Sequence, residues 1–462
     1  MGATKSVQLY VSSNQVGQSK SGVTGWFCGC GSGVGVLDGT QLPQGTKGTK
    51  KEEIIQDSKS LFQIDEHALN APDNAGKNLI ALAKYLGTPF QTDLEKVRAI
   101  YRWITNNMSY DEAAFVNKAN NSTDTDTVLK MKRGSADAFS TLFAALCKEM
   151  NIPVEVIRGH AKGFHFDAEN PFTEKTKPEH IWNAVFVESE WRFVDCTWGC
   201  GYADDSGKFQ RKFEEFWFLT DPEKFINDHF PIYPDQKAGE FWQLLPKAIT
   251  LAEFNRTIKM EEVTKEWGIE FSHKEPVIIF RKELNIIIRA TKYPLRCILA
   301  TLDTTGGVNI DNYSCVHRID NATFKIQVKP PTPGVFKLTL FGKRDDDFST
   351  ESPGLVKYTL KCTDVTNCVR QFPYSYAAAQ TYQSCLHEPM FRDLPQRTKV
   401  KFRLTSPGLQ AVKVEKIPLK IVDTNTWEAE VLTSEKGDSI VVFGSASKEG
   451  GRYHELYKFN VI

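Results

Sequence analysis

One stretch, residues 133–201, constrains this chain more than any other. From Phe139 the large apolar residues fall at Phe139, Leu142, Phe143, Leu146 and Met150, the spacing of one helical face. Asn151, with Pro153 just beyond it, stops that helix. Two short apolar runs follow, His180-Ile-Trp-Asn-Ala-Val-Phe-Val and Trp191-Arg-Phe-Val-Asp195, on either side of a Glu-Ser-Glu turn. Runs of that length around a polar turn predict a hairpin with His180 on one strand and Asp195 on the other.

A helix start, a His strand and an Asp strand are the three seats of a Cys-His-Asp hydrolase or acyl transferase. The His takes the nucleophile's proton, and the Asp holds the imidazole in the right tautomer. The nucleophile sits at the helix N-terminus, where the dipole and free N–H groups favour a thiolate. In this chain the helix opens Arg133-Gly-Ser-Ala136-Asp-Ala138, so that seat holds Ala136. A methyl group has no lone pair or proton for a base to activate. Cys147 lies three turns further on, on or beside the apolar face, and is expected to be a buried, inert thiol. Cys196 follows Asp195 directly, so on a strand it would face away from the site. Cys196 and Cys200, with His160 and His165, match no common zinc spacing. No metal or other cofactor is expected.

Residues 92–250 resemble the transglutaminase-like core of the kyphoscoliosis peptidase and hillarin family, within the papain-like superfamily. That family's helix motif is roughly Val-Cys-x-Gly-Tyr-Ala-x-Leu-Phe-x-x-Leu-Cys. Anchored on Leu142, Phe143, Leu146 and Cys147, it sets Ser135 at the Val, Ala136 at the nucleophilic Cys, Ala138 at the Gly and Phe139 at the Tyr. His180 to Val185 match His-x-Trp-Asn-Ala-Val, and Trp191 to Gly199 match Trp-x-x-x-Asp-x-Thr-Trp-Gly. Phe216-Trp-Phe-Leu-Thr-Asp-Pro, His229-Phe-Pro and Trp242-Gln-Leu-Leu also look like this family.

The resemblance implies a site of Ala136, His180 and Asp195, shaped by aromatics at Trp103 and Trp182. Trp103 also lies close to the apolar stripe of its own helix, which fits a core position. An active ancestor would act on peptide or glutamine side-chain amides through a Cys thioester. Ala136 cannot form one. The expectation is a transglutaminase-like pseudoenzyme that binds proteins as a scaffold, with cytoskeletal partners implied by the resemblance. The alternative is an active peptidase or transglutaminase whose Cys was replaced at position 136. Ala138, a second departure in the same turn, favours natural drift, since a deliberate change would touch only the nucleophile.

The remaining chain supplies context. At 462 residues, 41% of them hydrophobic, it has material for two or three cores. With 57 basic and 57 acidic residues, no global field argues for a nucleic-acid partner. No apolar run approaches a membrane span, and the start lacks the apolar core of a secretory signal. Ten scattered cysteines read as reduced thiols of a cytoplasmic protein.

Residues 1–50 are Gly-rich and polar, too poor in apolar side chains to offset ordering entropy, and are expected to be a disordered tail. Met1-Gly2-Ala-Thr-Lys-Ser6 fits N-myristoylation at Gly2, and Cys28 and Cys30 beside Trp26-Phe27 offer palmitoylation sites. Two lipids would hold the chain at a membrane surface; against this, many proteins begin with Met-Gly and tail thiols are often idle. Residues 51–250 form the expected core, where Thr92-Asp-Leu-Glu95 caps a helix and Asn117–Thr127 reads as a loop over the cleft. Beyond Glu275 the period changes to two, as in Phe324, Ile326, Val328 and later Val400, Phe402, Leu404. This predicts two immunoglobulin-like sandwiches, over 265–370 and 371–462, with Pro373–Pro389 as a linker carrying a turn of helix.

Overall fold

A computed structural model of the chain describes residues 36–37, 40–41, 48–56, 60–111, 122–163, 166–203, 208–347, 349, 351–365, 370–447 and 451–462. Gly2, Cys28, Cys30 and nearly all of the expected tail lie outside the described residues. Two compact units divide the chain between Asn255 and Arg256.

The first unit is a helical layer against a five-stranded antiparallel sheet. Its helix Asp93–Asn107 starts at a reciprocal cap: Thr92 Oγ1 accepts the Glu95 N–H at 3.2 Å, and Glu95 Oε2 accepts the Thr92 N–H at 2.9 Å. Val97, Ile100, Tyr101 and Ile104 on its inner face are fully buried. They share one core with Phe139, Leu142, Phe143 and Leu146 of the helix Ala136–Glu149. Burying several such side chains stabilises the pairing by about 1.5–3 kcal/mol each.

In the sheet the strand order is Phe218–Thr220, Glu190–Val194, His180–Val187, Val154–Ala161, His229–Pro231. The expected hairpin is its centre. Glu188 and Ser189 turn it with φ of 51° and 65°, the two positive values of a type I′ connection. The expected loop ends earlier than its polar composition suggested. Asp124 Oδ2 accepts the Thr127 N–H at 3.0 Å and starts a helix at Thr125–Met131; residues 112–121 are outside the described set. A run of polar Thr and Asp hid a helix whose only buried residues are Val128 and Leu129.

In the second unit the alternating runs become two β-sandwiches. The first pairs the sheet Ile269–Phe271, Leu284–Ala290, Thr323–Val328, Ser314–Arg318 with the sheet Val277–Phe280, Gly354–Cys362, Gly334–Arg344, Leu295–Thr304. Its strands begin at Ile269, before the period-two signal at Glu275, because a three-residue strand shows no alternation to read. The second sandwich is built around His454–Val461 and Ser439–Ser445 on one side and Lys399–Thr405 and Thr426–Leu432 on the other. Pro373–Pro389 is more than a linker: Tyr374–Ser375 and Cys385–Glu388 are edge strands of its two sheets, with the helix Ala377–Thr381 between them.

Candidate active site

Three local devices set the site. The helix Ala136–Glu149 is docked on the His180 strand by side-chain to backbone bonds. Ser140 Oγ donates to the Ile181 carbonyl at 3.0 Å, and Asn183 Nδ2 donates to the Ser140 carbonyl at 3.1 Å. These fix the helix start against the strand residue next to His180. Ala136 packs there with Tyr110 and Ile181, and Tyr202 and Phe209 lie against this cluster. Gly159, paired with His180 across the sheet, is the second device. A Cβ at Gly159 would lie 2.5 Å from the Trp182 ring and 2.0 Å from the Phe230 carbonyl oxygen, so only glycine lets Trp182 lie across the neighbouring strand. The third is Asp195. It ends the hairpin and caps the short helix Cys196–Gly199, its Oδ1 accepting the Thr197 and Trp198 N–H groups at 2.8 and 2.9 Å.

Asp195's other oxygen is shared by two imidazoles. His180 Nε2 lies 2.5 Å from Oδ2, and His229 Nε2 lies 3.1 Å from the same atom. A carboxylate only accepts, so each ring presents an Nε2 proton to it. The Nδ1 atoms of His180 and His229 are buried with no hydrogen-bond partner among the described residues. Burial pulls the Asp195 carboxyl up, but the charge and hydrogen bond of His180, joined by those of His229, hold it well below the usual carboxylate range. For His229 burial dominates and pushes the ring down to about 4, against the pull of Asp195. Trp198 and Trp217 lie 4.3 and 5.2 Å from the His229 ring, and Phe225 stacks on it at 4.1 Å.

His180, Asp195 and His229 are also the right residue types for a metal, with one donor atom of each within 4.8 Å of the others. The 2.5 Å contact argues for a hydrogen bond instead, since two light donors on one tetrahedral ion stand about 3.3 Å apart.

His180 and Asp195 thus come together, with the Ala136 helix start beside the His strand. Trp182 stacks 6.0 Å from the His180 ring. Trp103 does not join them. It sits in the helical core against Gly76, on the helix face that its apolar neighbours define. Cys196 begins a helix rather than continuing the strand, because Asp195 caps it there. Cys147, Cys196 and Cys200 are buried, and burial pushes all three thiols far up, away from thiolate character. His160 stacks on Phe172 at 4.5 Å, and His165 is outside the described residues. The sequence offers His229 only as part of a His-Phe-Pro motif and gives no signal that it is a site residue. Its place depends on an edge strand pairing with Val154–Ala161, which local periodicity does not report.

Such a core, with its buried His–Asp pair and the sandwiches that follow it in sequence, defines a transglutaminase-like protein with immunoglobulin-like modules. Residues 80–196 match the transglutaminase-like superfamily, and residues 252–373 match the KY-like, immunoglobulin-like domain. The chain is 31% identical over 312 residues to the human kyphoscoliosis peptidase, covering 67% of this chain and 44% of that one. It is 29% identical to hillarin of Drosophila melanogaster, over 48% of this chain and 27% of that one. Against the Lim and transglutaminase domain protein ltd-1 of Caenorhabditis elegans it is 28% identical, over 48% and 31% respectively. It belongs to the kyphoscoliosis peptidase and hillarin family. The chain spans less than half the length of these relatives.

Proposed function

We propose that this chain is a transglutaminase-like pseudoenzyme that works as a protein-binding scaffold, with Ala136 in the nucleophile's seat and His180 and Asp195 as remnants of the catalytic machinery. One observation carries the reading: the seat is a methyl group with no exposure, enclosed with Tyr110 and Ile181, themselves 6% and 1% exposed. A group sealed in that way neither attacks a carbonyl nor admits one. Ala138 supports drift rather than a single replacement. A side chain at position 134 would put its Cβ 2.5 Å from the Ala138 methyl, and position 134 is glycine, so the turn as a whole fits the residue it carries.

A structural role for His180, Asp195 and His229 is supported by the aromatic rings around them, His180 lying 5.1 Å from Trp198 and His229 4.1 Å from Phe225. Partners are proteins, with cytoskeletal ones suggested by the family. No helix among the described residues is long and apolar enough to cross a membrane. Acylation at Gly2, with Cys28 or Cys30 as a second acceptor, is the route by which the scaffold would reach a membrane surface.

Restoring the thiol as Ala136→Cys tests this. The variant should fold, react with iodoacetamide no faster than an ordinary cysteine near pH 7, and neither incorporate an amine into a glutamine substrate nor cut a peptide. Rapid alkylation together with turnover would instead identify a disarmed enzyme, and the scaffold reading would fall.

A further inference from the structure

In the first sandwich, the sheet Val277–Phe280, Gly354–Cys362, Gly334–Arg344, Leu295–Thr304 has two edges that are finished in opposite ways. Along Leu295–Thr304 outward peptide groups are taken up. Gln380 holds both groups of Ile298, Asp311 Oδ1 accepts the Leu302 N–H at 2.6 Å, and the Ile310 N–H donates to the Leu302 carbonyl at 2.7 Å. Native edges are closed in such ways because a row of free N–H and C=O groups is a template for another strand.

The edge Val277-Ile-Ile-Phe280 is open. It runs parallel to Gly354–Cys362, and a parallel ladder engages alternate residues of each strand. The Thr359 N–H donates to the Pro276 carbonyl at 2.8 Å and the Thr363 N–H to the Phe280 carbonyl at 3.0 Å, so the even-numbered residues serve the ladder. Val277 and Ile279 therefore turn their N–H and C=O groups outward, and among the described residues nothing bonds to them. Side chains alternate with the same period. Ile278 and Phe280 enter the core at 7% and 9% exposure, whereas Ile279 is 69% exposed and Val277 is half-buried. No charge, bulge or proline lies within the strand.

Glu275 and Arg281, both exposed, continue the row of Val277 and Ile279 at its two ends. The row Glu275, Val277, Ile279, Arg281 is its own antiparallel complement. Turned about Ile278, it sets apolar against apolar and acid against base. An in-register parallel partner would set like charges side by side instead.

We propose that this edge pairs antiparallel with the same edge of a second copy of the chain, carrying one sheet through both first sandwiches. Val277 faces Ile279 of the second copy, each such pair exchanging two main-chain bonds. Glu275 faces Arg281 of the second copy and adds a cross-strand pair of opposite charges at each end. Arg281 is free to make that contact: its ion pair with Asp364 leaves it 75% exposed, where such a pair holds little. The contact is the same patch on both copies, so it closes at two chains and does not run on into a fibre. So short a strand makes a small interface, and the dimer is of the weak, concentration-dependent kind. Pairing would give the scaffold two sets of binding modules and the avidity that follows.

Sedimentation velocity of the full chain, over about a hundredfold range of concentration within the micromolar regime, tests this. The wild-type mass should rise from one chain toward two, and amide exchange at Val277 and Ile279 should slow as it does. Ile279→Pro removes an outward donor that the folded monomer does not use. It should keep the wild-type far-ultraviolet dichroism and stay monomeric throughout. Glu275→Arg and Arg281→Glu each oppose like charges at both ends and should weaken association on the order of tenfold. The double variant exchanges the charges and should recover it. Both positions are exposed and outside the strand, so they keep the experiment decisive should the proline variant misfold. A wild type that stays monomeric, a dimer indifferent to these substitutions, or a double variant no better than the singles would overturn the proposal.

Discussion

A carboxylate that serves two buried imidazoles makes a specific claim about pH. His229 has an ordinary value of 6.5 and is pushed down to about 4 in the folded chain. Between those values the unfolded chain binds a proton that the folded one refuses, so stability falls as pH drops from above 6.5 toward 4. Asp195 adds loss of the same sign at lower pH, because its folded carboxyl ionises more readily than the unfolded one. For His229 alone the cost at pH 5 is about 2 kcal/mol, from a shift of about 1.36 kcal/mol per pH unit. In His229→Gln the loss of urea stability from pH 7 to pH 5 should shrink by that order. It should not vanish, because His160 in the same unit is also pushed down to about 4 by burial. An unchanged slope would show that His229 is not buried neutral. His180 and Asp195 were legible in the sequence because each carries a long local motif, whereas His229 was not, because only the sheet register brings it to Asp195. Trp103 could be read either way, and its helix periodicity, not its aromaticity, settled the outcome.

At the scale of elements, the site depends on a hairpin whose turn is built from poor residues for the job. Glu188 and Ser189 both adopt positive φ, 51° and 65°, where a Cβ is strained and Asn or Gly is preferred. Neither side chain is needed by the site, and Glu188 is exposed. Replacing them as Glu188→Asn with Ser189→Gly should stabilise the first unit by about 0.5–1 kcal/mol, read as a higher urea midpoint with unchanged slope. A loss of stability would mean that the turn residues make contacts that matter more than their backbone strain. The hairpin itself was legible from two apolar runs around three polar residues. The helix Thr125–Met131 was not, because its buried face is only Val128 and Leu129, too narrow a stripe to separate from loop composition. The edge strands Tyr374–Ser375 and Cys385–Glu388 were missed for a related reason: strands of two to four residues carry too few positions to display alternation.

Across the whole chain, what alternation cannot reveal is whether two sandwiches behave as separate beads or as one cooperative body. The second unit answers with a single side chain. Gln380, on the helix Ala377–Thr381 that leads into the second sandwich, reaches the strand Leu295–Thr304 of the first. Its Oε1 accepts the Ile298 N–H at 2.9 Å and its Nε2 donates to the Ile298 carbonyl at 2.8 Å. That strand is the edge of its sheet, so both backbone groups point outward, and Ile298 is fully buried with no water to replace them. Gln380→Ala removes both bonds while leaving the two Ile298 groups desolvated, a cost of about 1–3 kcal/mol for each orphaned group. The loss falls on the junction and not on either core, so its signature is broken cooperativity more than a lower midpoint. Hydrogen exchange along a urea series should show peptides from 284–304 and from 399–405 losing protection together in the wild type. In Gln380→Ala the two sets should separate. Coincident loss in the variant would mean that the sandwiches are coupled mainly by other contacts, and the Gln380 clasp would then be an incidental edge contact.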